Sequence, residues 1–463
     1  MAFAGRTVPV NPWLLACLAA CVGIGVLAGV NPEYGLIGAL GVMLAVITVM
    51  DLTLGFVLFT VASFLDLLSA SGSFSGTKVI GLVLFVSWLA RVATRREAGF
   101  GEFVSENPML TASLLAMLSW AALSFAWASS PGTAVGGAGR YALDMMLVPI
   151  AFSAIRTREH AVWVVAAFVI GAVISGAYGL VSSSPTSGMD VGRLTGTLGE
   201  SNAEGTVLAA AIPLLISLVG VIRNSARLKL LGLVGVVLLF AGLVDTLSRE
   251  GLVSLGAVMV GAVVFGGRWR RKAAVLLVIG VTVTVGYYAV IAPATARQRV
   301  TMTDTSGRTT LWTVAWRVIK AHPVLGVGND NFILVEDRYI NQPGAIQALY
   351  VVNTPKEAHN TFLEAAADLG IPGLVTLLAV LWFSLYAVVR AARIFEWLGD
   401  VQMELISRAV FLAVVAILAS DFFVSGGYAK YQWIPLALCP ALLGLARRAA
   451  VGGTAGQLAT AEL

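Results

Sequence analysis

The sequence predicts an all-α polytopic membrane protein, a bundle of about 12–14 transmembrane helices with one long extracytoplasmic loop containing short helices. Two observations carry this. Of the 463 residues, 58% are hydrophobic and only 12% charged, with a mean hydropathy of +0.88; soluble domains carry roughly 25% charged residues. Nearly the whole chain is also divided into apolar runs of about 15–21 residues separated by short polar breaks, the length a helix needs to cross a bilayer. The runs do not alternate apolar and polar residues as barrel strands do. A soluble enzyme, a disordered chain and a nucleic-acid binder are excluded.

The expected spans are 13–30, 34–50, 52–69, 78–93, 108–127, 141–155, 161–181, 203–222, 229–246, 251–266, 273–292, 371–389, 409–424 and 431–446. The first follows a single basic residue, Arg6, and no small-residue cleavage site, so it reads as a spanning helix and not a signal peptide. With the N-terminus inside, strict alternation puts eighteen of the thirty basic residues on the inner side. They are Arg6; Arg91, Arg95 and Arg96; Arg156 and Arg158; Arg223, Arg227 and Lys229; Arg268, Arg270, Arg271 and Lys272; Arg390, Arg393 and Arg408; and Arg447 and Arg448. Short outer breaks hold five: Lys78, Arg140, Arg193, Arg249 and Lys430. That bias satisfies the positive-inside rule. It predicts both termini inside; the Gly/Ala/Thr-rich composition of 449–463 predicts a disordered tail. The three cysteines, Cys17, Cys21 and Cys439, lie in apolar runs and read as core thiols.

Residues 291–370 form the one large polar insertion, an outer loop inserted in an otherwise single membrane domain. Arg308–Lys320 reads as a helix with an apolar stripe of Leu311, Trp312, Ala315, Trp316 and Ile319. It either lies at the membrane interface or packs on the ends of the spans.

Four features gather on the outer side, where charges close to the membrane are costly and therefore informative. The Gly-rich break Gly192–Asn202 carries Arg193 and ends on Asn202, read as a helix cap that could bind an anion. Arg249 and Glu250 sit in a very short turn; a local ion pair or an anionic substrate would each account for Arg249. Arg308 opens the Trp-rich helix. The planar fork of arginine makes permanent bidentate contacts with diphosphate. His359, just before a span, is placed to accept a proton near neutral pH. His160 and His322 read as structural. Asp330, Glu336 and Asp337 read as a solvated stretch, and Asp51, Asp66, Asp144, Asp245 and Asp421 as caps or helix–helix hydrogen bonds. Ligand spacing for a metal is missing, and no nucleotide or hydrolase motif occurs.

Ser306-Gly-Arg308-Thr-Thr-Leu-Trp312, His322-Pro-Val-Leu-Gly-Val-Gly328-Asn-Asp-Asn-Phe332, Ala358-His359-Asn360-Thr-Phe-Leu363 and Gly370-Ile-Pro-Gly373 occur in the order seen in the O-antigen ligase/polymerase superfamily. Leu247-Ser-Arg249 and the Arg193/Asn202 pair also resemble that family, and the likeness covers roughly Arg193–Leu378. Glu250 departs from it, since a small residue is expected there. The resemblance implies a C-type membrane glycosyltransferase of polysaccharide and cell-envelope biosynthesis, located in the bacterial inner membrane. Such an enzyme transfers a glycan from an undecaprenyl-diphosphate-type donor to a sugar hydroxyl of a glycan or glycolipid acceptor, with inversion and without metal or cofactor. On this resemblance His359 is catalytic, as base or positioning group, and Arg193, Arg249, Arg308, Asn202 and Asn360 bind substrate. Membrane lipids are the other expected partner. Two rival readings are a transporter of bicarbonate or another small anion, and a non-catalytic envelope-assembly protein. A transporter would carry charges deep in several spans, helices broken at mid-membrane and an internal repeat; few such charges and no repeat occur.

Overall fold

The computed structural model describes residues 21–26, 28–65, 76–94, 99–182, 192–222, 225–292, 307–340, 356–427 and 429–461, with 294 and 297. Arg6, Cys17, Asp66, Arg95, Arg96, Arg223 and Ser306 lie outside them. Among the described residues every regular element is a helix. In lipid a helix satisfies its own backbone hydrogen bonds, which an open strand cannot. The principal helices are α1 (Pro32–Met50), α2 (Leu52–Ala62), α3 (Gly76–Thr94), α4 (Phe100–Glu106), α5 (Pro108–Leu123), α6 (Pro131–Ala154), α7 (Arg158–Val181), α8 (Ser201–Val221), α9 (Ala226–Asp245), α10 (Arg249–Phe265), α11 (Arg270–Gly286), α12 (Arg308–Ala321), α13 (Phe332–Ile340), α14 (Thr361–Trp397), α15 (Val401–Ser420) and α16 (Lys430–Ala461).

Each expected span coincides, wholly or in part, with helical residues. By length and composition, 8 helices are able to cross a membrane: Pro108–Ala126, Arg158–Val181, Ser201–Val221, Ala226–Asp245, Gly267–Ile291, Thr361–Trp397, Val401–Ser420 and Lys430–Val451. Of the others, α6 has 24 residues but is not apolar enough, whereas α2, with 11 residues, rises about 16 Å at 1.5 Å per residue, half the hydrocarbon thickness. The last helix continues past Arg448 into the Gly/Ala/Thr-rich tail.

Polar side chains punctuate the breaks by capping free N–H groups. Asp51 caps α2 through the N–H groups of Thr53 (2.8 Å) and Leu54 (3.1 Å). Thr157 caps α7, Ser225 caps α9 and Asp400 caps α15. The core runs between α8, α15, α16 and the spanning part of α14, whereas α11 lies against α10 and buries none of its residues.

The two ends of the bundle differ in charge. At one end the expected inner arginines are paired: Arg156 and Arg448 with Glu102 (2.5 and 2.9 Å), Arg447 with Glu106 (3.3 Å), and Arg158 with Asp400 (3.0 Å). There Arg408 also meets Glu404 (2.9 Å) and Glu396 (2.7 Å), and Arg268 meets Glu404. His160 sits at this end against Thr53 and the Ala154 carbonyl, a structural histidine as expected. Chain reversal at each break brings Arg193, Arg249, Arg308 and His359 together at the opposite end.

That opposite end is closed by a small packed unit. Helix α12 buries Leu311, Val314, Ala315, Val318 and Ile319 against Phe332, Val335, Ala366 and Ala367. The buried stripe is therefore rotated from the expected one, because Val314 and Val318 enter the core. Trp316 is exposed and Trp312 sits at the edge. Of the two placements left open, packing on the bundle is the one observed.

Helix α14 breaks at Gly370 (φ 69°, ψ −175°). Residues 361–369 belong to the packed unit, and residues 371–397 contain the expected span. The last carbonyls before the break would lack intrahelical partners. Val327 N donates to Ala367 O (3.0 Å), Gly328 N to Asp368 O (2.9 Å) and Trp120 Nε1 to Leu369 O (2.7 Å). Backbones approach so closely that a Cβ on Gly370 would lie 2.2 Å from Val324 O, and one on Gly326 2.2 Å from Asp368 O. Gly370→Ala is therefore expected to destabilise by about 1–3 kcal/mol, the scale of a strained residue. Gly132→Ala, where nothing lies within 4 Å, should leave the thermal unfolding midpoint unchanged or slightly raised. Equal midpoints for the two variants in detergent would remove the close-approach argument.

Candidate functional site

The site begins with the turn between α9 and α10. Ser248 caps α10, accepting from Gly251 N (3.2 Å), and donates to Asn202 Oδ1 (3.1 Å). Arg193 lies across the same turn, donating from Nε to Thr246 O (2.9 Å) and from Nη2 to Asn202 Oδ1 (2.7 Å). Asn202 is thus not the cap of α8, contrary to expectation. The cap position is Glu200, and Asn202 lies in the first turn, where its side chain faces sideways into Arg193 and Ser248. Gly205 and Gly251 let α8 and α10 nearly touch; a Cβ on Gly251 would lie 3.1 Å from the Gly205 Cα.

Arg249 and Arg308 line one cleft of about 240 Å³, together with Glu250, Val253, Trp312 and Phe423. Trp312 and Phe423 have ring centroids 6.2 Å apart, so one side of the cleft is aromatic. The α15–α16 turn holds Phe423 in place. Asn360 Nδ2 donates to Phe422 O (3.1 Å), Thr361 N to Asp421 O (2.9 Å) and Thr361 Oγ1 to Val424 O (2.8 Å).

Glu250, buried in the cleft wall, forms an ion pair with Arg308. A local pair with Arg249 was one expectation; the Glu250 carboxylate instead reaches Arg308, 58 positions along the chain. Its second oxygen receives no hydrogen bond from a described residue. Arg193 and Glu200 are within electrostatic reach of the same carboxylate.

His359 occupies the segment between α13 and α14, with a left-handed backbone (φ 48°). Burial lowers its imidazole to about 4, assisted by the positive charges of Arg308 and Lys356. At pH 7 the ring is neutral and able to accept a proton. Asn360 accepts from Phe362 N (3.1 Å) and Leu363 N (2.9 Å), capping α14 and fixing the residue that follows His359.

Thus Arg249 and Arg308 share the cleft, His359 lies within the field of Arg308, Arg193 and Asn202 brace the adjoining turn, and Asn360 anchors the His359 segment. Other supports were not anticipated. Asp368 is buried and its carboxylate accepts backbone N–H bonds from Asp330 (2.8 Å), Asn331 (3.1 Å) and Phe332 (2.7 Å). Asp330 (φ 60°) pairs with Arg140, and burial raises its carboxyl against that pairing. Glu336 is fully buried and accepts from Lys356 N (2.8 Å), tying α13 to the His359 segment; burial pushes its carboxyl up to about 7. The expected solvated stretch is therefore corrected for Asp330 and Glu336. Of the other acids, Asp421 accepts from Thr361 Oγ1 (3.2 Å), a helix–helix bond as expected, and His322 meets the Tyr339 hydroxyl (2.8 Å).

Removing Arg308 alone strands a buried carboxylate, a change worth about 3–5 kcal/mol in comparable pairs. Arg308→Ala should therefore lower the thermal unfolding midpoint, and Arg308→Ala combined with Glu250→Gln should recover most of the loss. A double variant no more stable than the single one would show that the pair contributes nothing.

Residues 234–378 match the family model for O-antigen ligase. The matched stretch contains Arg249, Arg308, His359 and Asn360, while Arg193 and Asn202 precede it. No curated protein matches the chain.

Proposed function

We propose that the chain, whose residues 234–378 match the O-antigen ligase family model, is a multi-pass membrane glycosyltransferase. It transfers a glycan from a polyprenyl-diphosphate donor to a sugar hydroxyl on the extracytoplasmic side of the bacterial inner membrane. The single observation behind this is the shared cleft: two guanidinium groups, Arg249 and Arg308, beside the apolar and aromatic surfaces of Val253, Trp312 and Phe423. Such a pocket suits a ligand that is anionic at one end and hydrocarbon at the other.

The positions of these residues support a single displacement. The acceptor hydroxyl oxygen attacks the anomeric carbon as the bond from that carbon to the diphosphate oxygen breaks. The bonding electrons leave on the diphosphate, where charge accumulates. Fixed guanidinium donors stabilise charge where it develops, and they need no reorganisation to do so. The hydroxyl proton passes to the neutral His359 ring. One displacement from the face opposite the leaving group inverts the sugar. Arg193 and Asn202 hold the α9–α10 turn on which Arg249 stands, and Asn360 holds His359.

Glu250 tempers the cleft. It offsets one of the two lining arginines, so full positive charge is offered only when the donor draws Arg308 from its partner. The sidedness is supported by charge: the end remote from the cleft carries the bulk of the arginines, as a cytoplasmic end does.

Purified protein given a polyprenyl-diphosphate oligosaccharide and an acceptor glycan is expected to form product in EDTA. His359→Ala and Arg308→Lys, the latter keeping the charge for Glu250 while losing the planar fork, should each reduce turnover by at least about 100-fold. Full activity in both folded variants would defeat the assignment. The acid limb of kcat/KM reports the free enzyme. It is expected well below pH 6.5, toward the His359 value of about 4, because activity fails only once that ring is protonated. A limb at or above pH 6.5 would exclude His359 as the base.

A further inference from the structure

A second cleft, of about 220 Å³, opens at the end of the bundle remote from the first. It lies between the end of α10, α14 and α15, and its walls include Val264, Phe265, Val388, Arg393, Glu396 and Arg408. Val264 and Phe265 are exposed, so this wall faces the surroundings of the bundle and not its core.

Arg408 forms the floor and is held rigidly. Glu404 and Glu396 take two of its nitrogens, and Phe265 O accepts from a third. Gly267, in the left-handed region (φ +52°), packs directly on this guanidinium; a Cβ there would lie 2.3 Å from Arg408 Nη2. Both carboxylates near the floor are therefore already answered. The rim is different. Arg393 is exposed, and neither it nor Arg270 and Arg271, which follow Gly267 closely, forms an ion pair with a described residue. Arg390, one turn from Arg393, donates to the Tyr386 hydroxyl (3.2 Å) and lies over the same residue's ring, and Lys272 lies over the Trp269 ring. Arg393, without a carboxylate partner among the described residues, thus lines a cleft whose outer wall is hydrocarbon, and Arg390 and Arg270 each stand three positions from a residue of its lining.

We propose that this cleft binds an anionic membrane phospholipid. Its phosphate would sit among Arg393, Arg390 and Arg270, with an acyl chain along Val264, Phe265 and Val388. Charge complementarity selects an anionic over a zwitterionic headgroup, since basic residues close to a membrane surface attract net negative lipid. The apolar wall selects a lipid over a free anion. This inference is independent of the reaction proposed for the other cleft.

The full-length protein in detergent, titrated separately with phosphatidylglycerol, phosphatidylcholine and inorganic phosphate, provides the test, read by thermal unfolding and by native mass spectrometry. Phosphatidylglycerol should raise the midpoint and remain bound, while the other two do neither. Arg390→Gln/Arg393→Gln should weaken phosphatidylglycerol roughly fivefold per arginine. Arg227→Gln, on exposed α9 at the same end but away from the cleft, should bind as the parent does. Equal effects of phosphatidylcholine, an equal effect of phosphate alone, or unchanged affinity in the double variant would each overturn the proposal.

Discussion

Three backbone N–H groups, of Asp330, Asn331 and Phe332, converge on the buried carboxylate of Asp368. That carboxylate stands near the end of the helical piece 361–369, whose terminal carbonyls are themselves taken by Val327, Gly328 and Trp120. Buried polar groups must find partners, and here each side satisfies the other. The turn after α12 can therefore sit in one way on α14. Once it is seated, α12 presents Arg308 to Glu250, and the segment before α14 presents His359 to the field of Arg308. Gly326 and Gly370 are necessary because the two backbones meet with no room for a side chain.

Charge is organised along the axis of the bundle in two different ways. At the remote end arginines are matched with Glu102, Glu106, Asp400, Glu404 and Glu396 into pairs that join neighbouring helices. At the cleft end Arg249 and Arg308 line one cleft, and Glu250, next to Arg249 in the chain, pairs with Arg308. Two like charges at close range would repel in a low-dielectric wall. The buried Glu250 carboxylate, paired with Arg308, offsets that repulsion.

Much of this was legible in the sequence. Apolar runs located the helices because every residue facing lipid must be apolar, and alternation of basic breaks separated the two ends. Arg249 stood out as a charge in a very short break between spans, Arg308 at the start of the Trp-rich helix, and His359 as an imidazole just before a span. What could not be read were partnerships across long sequence distances. Nothing local links Glu250 to Arg308, and Glu250 first looked like the companion of its neighbour Arg249. Asp330 and Glu336 looked solvated because a run of acids usually is; their burial depends on how α12 and α13 fold over α14. The stripe of α12 was misplaced for a related reason. Tryptophans weigh heavily in a hydrophobic pattern, yet Val314 and Val318 fill the core and Trp312 turns to the cleft.

Under the proposed function, one cationic cleft grips a phosphorylated lipid. An experimental structure of the protein with a bound polyprenyl diphosphate tests this most directly. The account predicts the diphosphate between Arg249 and Arg308, Glu250 released from Arg308, and the first isoprene units against Trp312 and Phe423. Density for the diphosphate at the opposite end of the bundle, with the Arg308–Glu250 pair still closed, would contradict it.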